Sequence, residues 1–374
     1  MIQRIQKEQI EKLLSGDKAI IILGARQVGK STLLNQLFTS KDDVMWLNGD
    51  EWDVRQMLEN MTSTRIRSLI GQKKWVVIDE AQRIPNIGLK MKLITDQVPN
   101  VQVVATGSSS FQLASQVNEP LTGRKREFHI APLSYQEMVN HTSLLDEHRM
   151  IPHRMVYGYY PEVVTSPGDE QDVLRELSNS YLYKDILSLD NINKPDKLSL
   201  LLQALARQIG EQVSYNEVGQ LIGLNPKTVE KYIDVLEKSF ILFRLGSLAR
   251  NLRNELKVSR KIYFWDLGIR NAIIANFQQV ELRNDVGALW ENFAITERLK
   301  LLNIKGSFAN KWFWRTQQQQ EIDYIEEENG QFNSFEFKWN AKKAHVKQPK
   351  SFSDAYTDST FTVVTPDNID SFIL

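Results

Sequence analysis

Apolar and polar positions along the chain follow two rhythms, and the changes between them mark out its elements. Ile2, Ile5, Ile10, Leu13 and Leu14 recur at roughly helical spacing and predict a helix over residues 1–15. Ala19–Leu23 is a short unbroken apolar run and reads as a buried strand, followed by a helix over Ser31–Phe38. Further buried strands are expected at Trp75–Ile78, Val101–Ala105 and Arg126–Ile130. Strands alternating with helical patterns imply a parallel sheet covered on both faces. From about residue 140 to 195 the pattern is helical with aromatic interruptions, and Asn191–Asn193 with Pro195 mark a boundary. Residues 196–265 suggest a small helical unit with a trailing hairpin, and residues 280–374 a helix followed by strands.

Ser214-Tyr-Asn-Glu217 has the form of a capping box opening a helix with Val218, Leu221 and Ile222 on one face. Gly223-Leu-Asn225-Pro226 then reads as a turn, with Asn225 as N-cap and Pro226 in the first helical position. The next helix buries Val229, Ile233 and Leu236 and exposes Lys227, Thr228, Lys231 and Asp234, so the pair describes a helix-turn-helix. An alternating strand Phe240–Leu245 follows. Between Lys238 and Lys261 lie seven basic residues (Lys238, Arg244, Arg250, Arg253, Lys257, Arg260, Lys261) and one acid, Glu255. As a wing, this stretch suits contacts to DNA phosphates; a protein-docking winged helix with a solvated wing is the alternative. Glu230, Asp234 and Glu237 on the second helix argue against close reading of bases.

Composition narrows the possibilities. With 374 residues, 42% hydrophobic and 25% charged, the chain can bury two or three cores. Formal net charge is zero, so a nucleic-acid surface must be a local patch. No cysteine is present, which removes disulfides and thiolate metal sites. No apolar run approaches the ~18 residues of a membrane span, and the charged amphipathic start MIQRIQKEQIEKLL differs from a signal peptide. No membrane association and a cytoplasmic location are the expectation. His129 falls in a strand and reads as a core histidine; His141, His148 and His153 form no zinc pattern.

Gly24-Ala25-Arg26-Gln27-Val28-Gly29-Lys30-Ser31, with Thr32 after it, fits G-x-x-x-x-G-K-[ST] between a strand and a helix. The glycines let backbone N–H groups turn inward around phosphate oxygens, Lys30 reaches the terminal phosphates, and the Ser31 hydroxyl holds Mg²⁺. The pattern predicts ATP and Mg²⁺ as cofactors. The strand Trp75–Ile78 runs into Asp79-Glu80, which places two carboxylates at the carboxyl edge of the sheet, Asp79 for the Mg²⁺ shell and Glu80 as base toward the attacking water. In Thr106-Gly-Ser-Ser-Ser110 a hydroxyl, with Ser108 favoured, reaches the γ-phosphate or the water; a polar turn is the alternative. Arg124, in Gly123-Arg124-Lys-Arg126, is a candidate finger toward a neighbouring subunit's nucleotide, or else a structural arginine.

A second group of charges lies near the C-terminus. Glu321-Ile-Asp323 and Glu336-Phe-Lys338 flank Asn329-Gly330, the strongest short hairpin signal. With those two residues as the loop, Glu328 faces Gln331 and Asp323 faces Glu336. Facing carboxylates need a cation between them, and Mg²⁺ or Mn²⁺ suits oxygens this close. Lys338 then orients a water without being a ligand, and Glu291, in the helix Ala288–Leu301, supplies a further carboxylate. The Glu…Asp…Glu-x-Lys set resembles the PD-(D/E)xK nuclease core. A charge-compensated hairpin, neutralised by Lys338, and a nuclease fold without its chemistry are the alternatives.

GARQVGKST, WVVIDEAQ, VVATGSSS and LTGRKREFHIAPLSYQEM, with Tyr159-Tyr160-Pro161-Glu162 and Tyr183-Lys-Asp185-Ile186, together resemble the prokaryotic AAA-type ATPases that carry a conserved C-terminal domain. The usual Gly-Gly-Tyr-Pro of that family is Gly-Tyr-Tyr-Pro here. The resemblance implies an α/β P-loop NTPase sheet over residues 1–140, a helical connector or lid over 141–195, a winged helix-turn-helix over 196–265 and a restriction-endonuclease-like α/β domain over 266–374. It further implies ATP hydrolysis, a homo-oligomer and DNA as a partner. The expectation is an ATPase coupled to a DNA-binding, nuclease-like module, with a nucleotide-switched regulator bearing an inert nuclease-like fold, or an ATPase scaffold, as alternatives.

Overall fold

The computed structural model describes residues 2–59, 61–108, 117, 120–187, 194–249 and 260–374. It divides into two compact units, Met1–Leu133 with Lys238–Phe240, and Ser134–Glu237 with Ile241–Leu374. Among the described residues no helix is long and apolar enough to cross a membrane.

In the first unit, strand β1 (Ala19–Leu23) is buried at every position, as a central strand covered on both faces must be. It pairs in parallel with β4 (Gln102–Gly107) on one side and β5 (Lys125–His129) on the other. Strand β3 (Trp75–Asp79) lies beyond β4, and β2 (Val44–Asn48) closes the far edge, giving the order β2-β3-β4-β1-β5. Val76, Ile78, Val103 and Ala105 meet Ile87, Met91 and Ile94 of the helix Ile87–Gln97 in one apolar cluster. Four points differ from the expectation. The edge strand β2 escapes the periodicity search because Met45 and Trp46 are only partly covered. The segment expected as a buried strand at Arg126–Ile130 is an edge strand, largely exposed until Ile130; its Lys, Arg and Glu discourage pairing with another chain. His129 is exposed, with its ring against Phe240, and is no core histidine. The predicted helix over 1–15 shrinks to Gln6–Glu11.

The second unit takes in the three segments 141–195, 196–265 and 266–374, together with Ser134–Asn140, which the sequence assigns to the ATPase domain. Its sheet runs β12-β11-β10-β9-β7-β8-β6. Strands β6 (Gln212–Val213), β7 (Leu242–Ser247) and β8 (Arg260–Phe264) come from the expected winged helix; β9 (Asn310–Arg315), β10 (Glu321–Glu328), β11 (Gln331–Phe337) and β12 (Thr360–Val364) come from the expected nuclease-like domain. The parallel pairing of Gly246 with Trp312 and Ser247 with Phe313 joins the two sets into one sheet. The helix Val286–Lys305 contributes buried Leu289, Trp290, Phe293 and Ile295 to the core.

The two helices and the turn between them form as predicted, with Ser214 accepting the Glu217 N–H but without the return bond of the expected capping box. Ser214 caps the helix Tyr215–Ile222, Gly223 ends it at φ +70°, and the Asn225 carboxamide oxygen accepts from the Thr228 N–H at 2.8 Å before the helix Pro226–Lys238. The strands β7 and β8 that flank the expected wing pair as an antiparallel hairpin, and three of its basic side chains are engaged or buried within the unit. Arg244 pairs with Asp234 at 2.7 Å and with Glu237, Arg260 with Glu230 at 3.3 Å, and Lys261 is buried. The acids of the second helix are therefore neutralised by two arginines that the charge count assigns to phosphates. Arg250, Arg253, Glu255 and Lys257 lie outside the described residues, as do Ser109, Ser110 and the boundary residues Asn191–Asn193.

Candidate functional site

The nucleotide loop begins where β1 ends. Gly24 donates its N–H to the Gly107 carbonyl at 3.3 Å, and the neighbouring Ile130 N–H donates to Leu23 at 2.7 Å. A Cβ on Gly24 would sit 2.1 Å from the Ile130 carbonyl oxygen, so only glycine lets the chains pass at this distance. Ala25 and Val28 are buried under the loop, Arg26 is half-buried and Gln27 is exposed at φ +60°. Gly29 takes φ +95° and starts the helix Lys30–Phe38, whose N-terminal dipole favours an anion. The Lys30 ammonium is buried and turned onto its own loop, donating to Gly24 O at 3.0 Å and Ala25 O at 2.7 Å. Ser31 and Thr32 are exposed in the first turn. A buried ammonium, an exposed hydroxyl and a helix N-terminus make a donor set that fits triphosphate and Mg²⁺.

Strand β4 lies between the loop strand and β3, so its end is shared by both halves of the site. Thr106, fully buried there, donates its hydroxyl to Asp79 Oδ1 and accepts the Glu80 N–H at 3.1 Å. The Glu80 N–H also reaches Asp79 Oδ1 at 3.1 Å. Glu80 itself takes φ +49°, an uncommon conformation for a residue with a side chain, which turns the chain sharply out of the strand. Gly49 on the next strand permits this turn: a Cβ there would stand 2.2 Å from the Glu80 carbonyl oxygen. The Gln82 amide nitrogen donates to the Glu80 carboxylate and to Ser108 Oγ at 3.0 Å. Ser108 thus joins the site through Gln82.

Arg124 is placed elsewhere. It precedes β5, and its carbonyl accepts from Ala19 at the start of β1, so it stands at the amino edge of the sheet while Gly24 stands at the carboxyl edge. Its guanidinium pairs with Asp96 at 2.7 Å. Sequence reading missed Arg4, Gln6, Thr106 as the partner of Asp79, and Gln82. The buried Arg4 guanidinium donates to the Val28 carbonyl in the loop and to Ala131 O at 2.7 Å, and Gln6 donates to His129 O at 3.0 Å. No feature of the charged, amphipathic start singles out Arg4 from Lys7, Glu8, Glu11 and Lys12.

The C-terminal carboxylates gather as a second cluster in their own unit. The hairpin has the predicted register, with Glu328 opposite Gln331 and Tyr324 opposite Phe335, turning at Asn329 (φ +53°) and Gly330 (φ +80°). Past Tyr324 the Asp323 carboxylate accepts the Phe337 N–H at 2.9 Å. The Lys338 ammonium donates to Glu336 at 2.6 Å. The cation facing the remaining acids is Lys261 from β8, with its Nζ 2.6 Å from Glu321, 3.0 Å from Glu291 and 3.9 Å from Asp323. The Tyr263 hydroxyl donates to the same Glu291 oxygen at 2.6 Å. Strands β8 and β10 are separated by β7 and β9, so the sheet curls to bring these side chains together. Among the described residues no group of three or more His, Asp or Glu is arranged to hold a metal ion. A divalent ion does not fit the side chains as they stand, because the lysine fills the place expected for it.

Burial and the charge of Glu291 push the Asp323 carboxyl up to about 7, against the pull of Lys261. An acid raised in this way is protonated in the folded chain over a pH range where the unfolded chain, near 3.8, has already lost its proton. Its contribution to stability therefore falls as pH rises from about 4 to about 7. Asp323→Asn should flatten that part of the melting-temperature profile; an unchanged profile would show Asp323 ionised throughout.

Comparisons with known proteins follow this division. An AAA domain profile matches residues 16–139. Two domains of unknown function match the rest, DUF8612 over residues 148–280 and DUF4143 over residues 286–371. An uncharacterised protein of Mycobacterium tuberculosis is 23% identical over 335 residues, which covers 88% of this chain and 72% of that protein. An uncharacterised protein of Methanocaldococcus jannaschii is 26% identical over 316 residues, covering 72% and 65%. Among solved structures, a Walker-type ATPase of Pyrococcus abyssi superposes with a TM-score of 0.53 at 14% identity, over 73% of this chain and 96% of that one. Residues 16–139 are thus similar to AAA domains, and the loop Gly24–Ser31 with the Asp79–Glu80 strand end sits on a fold shared with that Walker-type ATPase.

Proposed function

We propose that the N-terminal unit binds ATP with Mg²⁺ and hydrolyses it. The observation that carries this is the bridge by which Thr106 and Gln82 hold Asp79, Glu80 and Ser108 beside the phosphate loop. On binding, Lys30 would exchange the Gly24 and Ala25 carbonyls for phosphate oxygens, and Ser31 and Asp79 would hold the metal. Mg²⁺ neutralises phosphate charge. Glu80, tethered by Gln82, holds and polarises the attacking water. The test is phosphate release by the purified chain with ATP. Turnover should require Mg²⁺, stop with EDTA and vanish in Lys30→Ala; equal release by that variant would remove the proposal.

For the helix-turn-helix we favour a protein-docking role over DNA recognition, because Glu230, Asp234 and Glu237 already engage Arg244 and Arg260, two of the arginines expected to meet phosphates. Duplex DNA should bind weakly, with affinity changing little between low and moderate salt. A steep loss of affinity with salt would reveal many phosphate contacts and reverse this assignment.

A further inference from the structure

We propose that Lys261 is a built-in replacement for the divalent ion in the C-terminal carboxylate cluster, so that this unit keeps the acids of a metal nuclease without the metal. The distances, the burial and the neighbouring donors carry it. The Lys261 ammonium lies within 4 Å of three carboxylates, Glu321, Glu291 and Asp323. Two of the ammonium's three donors lie at hydrogen-bond distance from Glu321 and Glu291, and Asp323 stands farther off at 3.9 Å. A metal ion would need to stand ~2.1 Å from the same oxygens, in space the nitrogen fills. The lysine side chain is only 3% exposed, with the Phe313 ring 5.6 Å from its nitrogen on another side. A charge buried this deeply stays where its partners are, since leaving them strands both it and the acids.

Other donors also sit on these acids. Tyr263 donates to the Glu291 oxygen that Lys261 touches, the Phe337 N–H occupies Asp323 Oδ2, Lys338 takes Glu336, and Arg315 stands 3.6 Å from Glu321. Gly210 closes over the cluster, where a Cβ would lie 3.6 Å from the Glu291 carboxylate. The cluster therefore ties β8, the helix Val286–Lys305 and the β10–β11 hairpin into one body by charge, a structural task.

The experiment is Mn²⁺ binding to the nucleotide-free full chain, read from the electron paramagnetic resonance of the free ion. The wild-type isotherm should be unchanged by Asp323→Asn or Glu291→Gln. Lys261→Met, which keeps the length and removes the charge, should create a site at least about tenfold tighter than any wild-type binding, lost again on adding Asp323→Asn. A wild-type Mn²⁺ site that Asp323→Asn abolishes would overturn the proposal, and so would a well-folded Lys261→Met with no new site. Circular dichroism reports whether Lys261→Met folds. If it does not, the wild-type, Asp323→Asn and Glu291→Gln isotherms decide alone: identity supports the replacement and a lost site refutes it.

Discussion

Glu80→Gln is expected to lower ATP turnover by about 10²–10⁴-fold while ATP affinity stays within a few-fold of wild type. The substitution keeps the side chain's length and its ability to accept from Gln82. It removes only the negative charge that draws a proton from water. Lys30, Ser31 and the loop glycines, which hold the phosphates, are untouched. The φ of +49° at Glu80 costs on the order of 1 kcal/mol and persists because Gly49 and Thr106 fix the backbone there. Glutamine inherits the same backbone, so a loss of activity would report chemistry and not refolding. Steady-state phosphate release and a fluorescent-nucleotide titration on the same sample separate the two quantities. Unchanged turnover would assign the water to another group.

Gly24→Ala should cost about 1–3 kcal/mol of stability, and with it most of the nucleotide affinity. The new methyl would meet the Ile130 carbonyl oxygen at 2.1 Å, so the loop must separate from the chain leaving β5. That separation stretches the Leu23–Ile130 hydrogen bond and displaces the residues that carry Lys30. Gly29→Ala provides the contrast. No atom lies within 4 Å of a Cβ there, so the cost comes from the φ of +95° alone. Urea melts of the two variants should rank Gly24→Ala as the less stable, and equal midpoints would show that the close approach relaxes freely.

The parts of the site visible in the sequence are those encoded by neighbours along the chain. The phosphate loop, the strand ending in Asp79-Glu80, the caps at Ser214 and Asn225 and the Asn329-Gly330 register all depend on spacings of a few residues. What stayed hidden depends on the order of strands. Nothing local says that β4 lies between β1 and β3, and that order makes Thr106 the partner of Asp79. The same holds for Arg124, whose nearness to the fourth strand says nothing about which edge of the sheet it occupies. Lys261 is the sharpest case. Its neighbours in sequence are basic and suggest a phosphate surface, yet a curled sheet carries it into acids more than 50 residues away along the hairpin. The strand β2 was lost for a different reason: an edge strand is half covered, and its side chains keep no clean alternation.

The clamp formed by Arg4 and Gln6 bears on what counts as the working piece of this molecule. The motifs of the nucleotide site lie between Gly24 and Ser108, and a fragment trimmed to start at Ala19 would contain every one of them. Such a fragment would also leave the Val28 and Ala131 carbonyls without the guanidinium that joins them. The shortest active segment is therefore longer than the stretch that carries the recognisable chemistry, and its extra length lies on the amino-terminal side, where the sequence looks least informative.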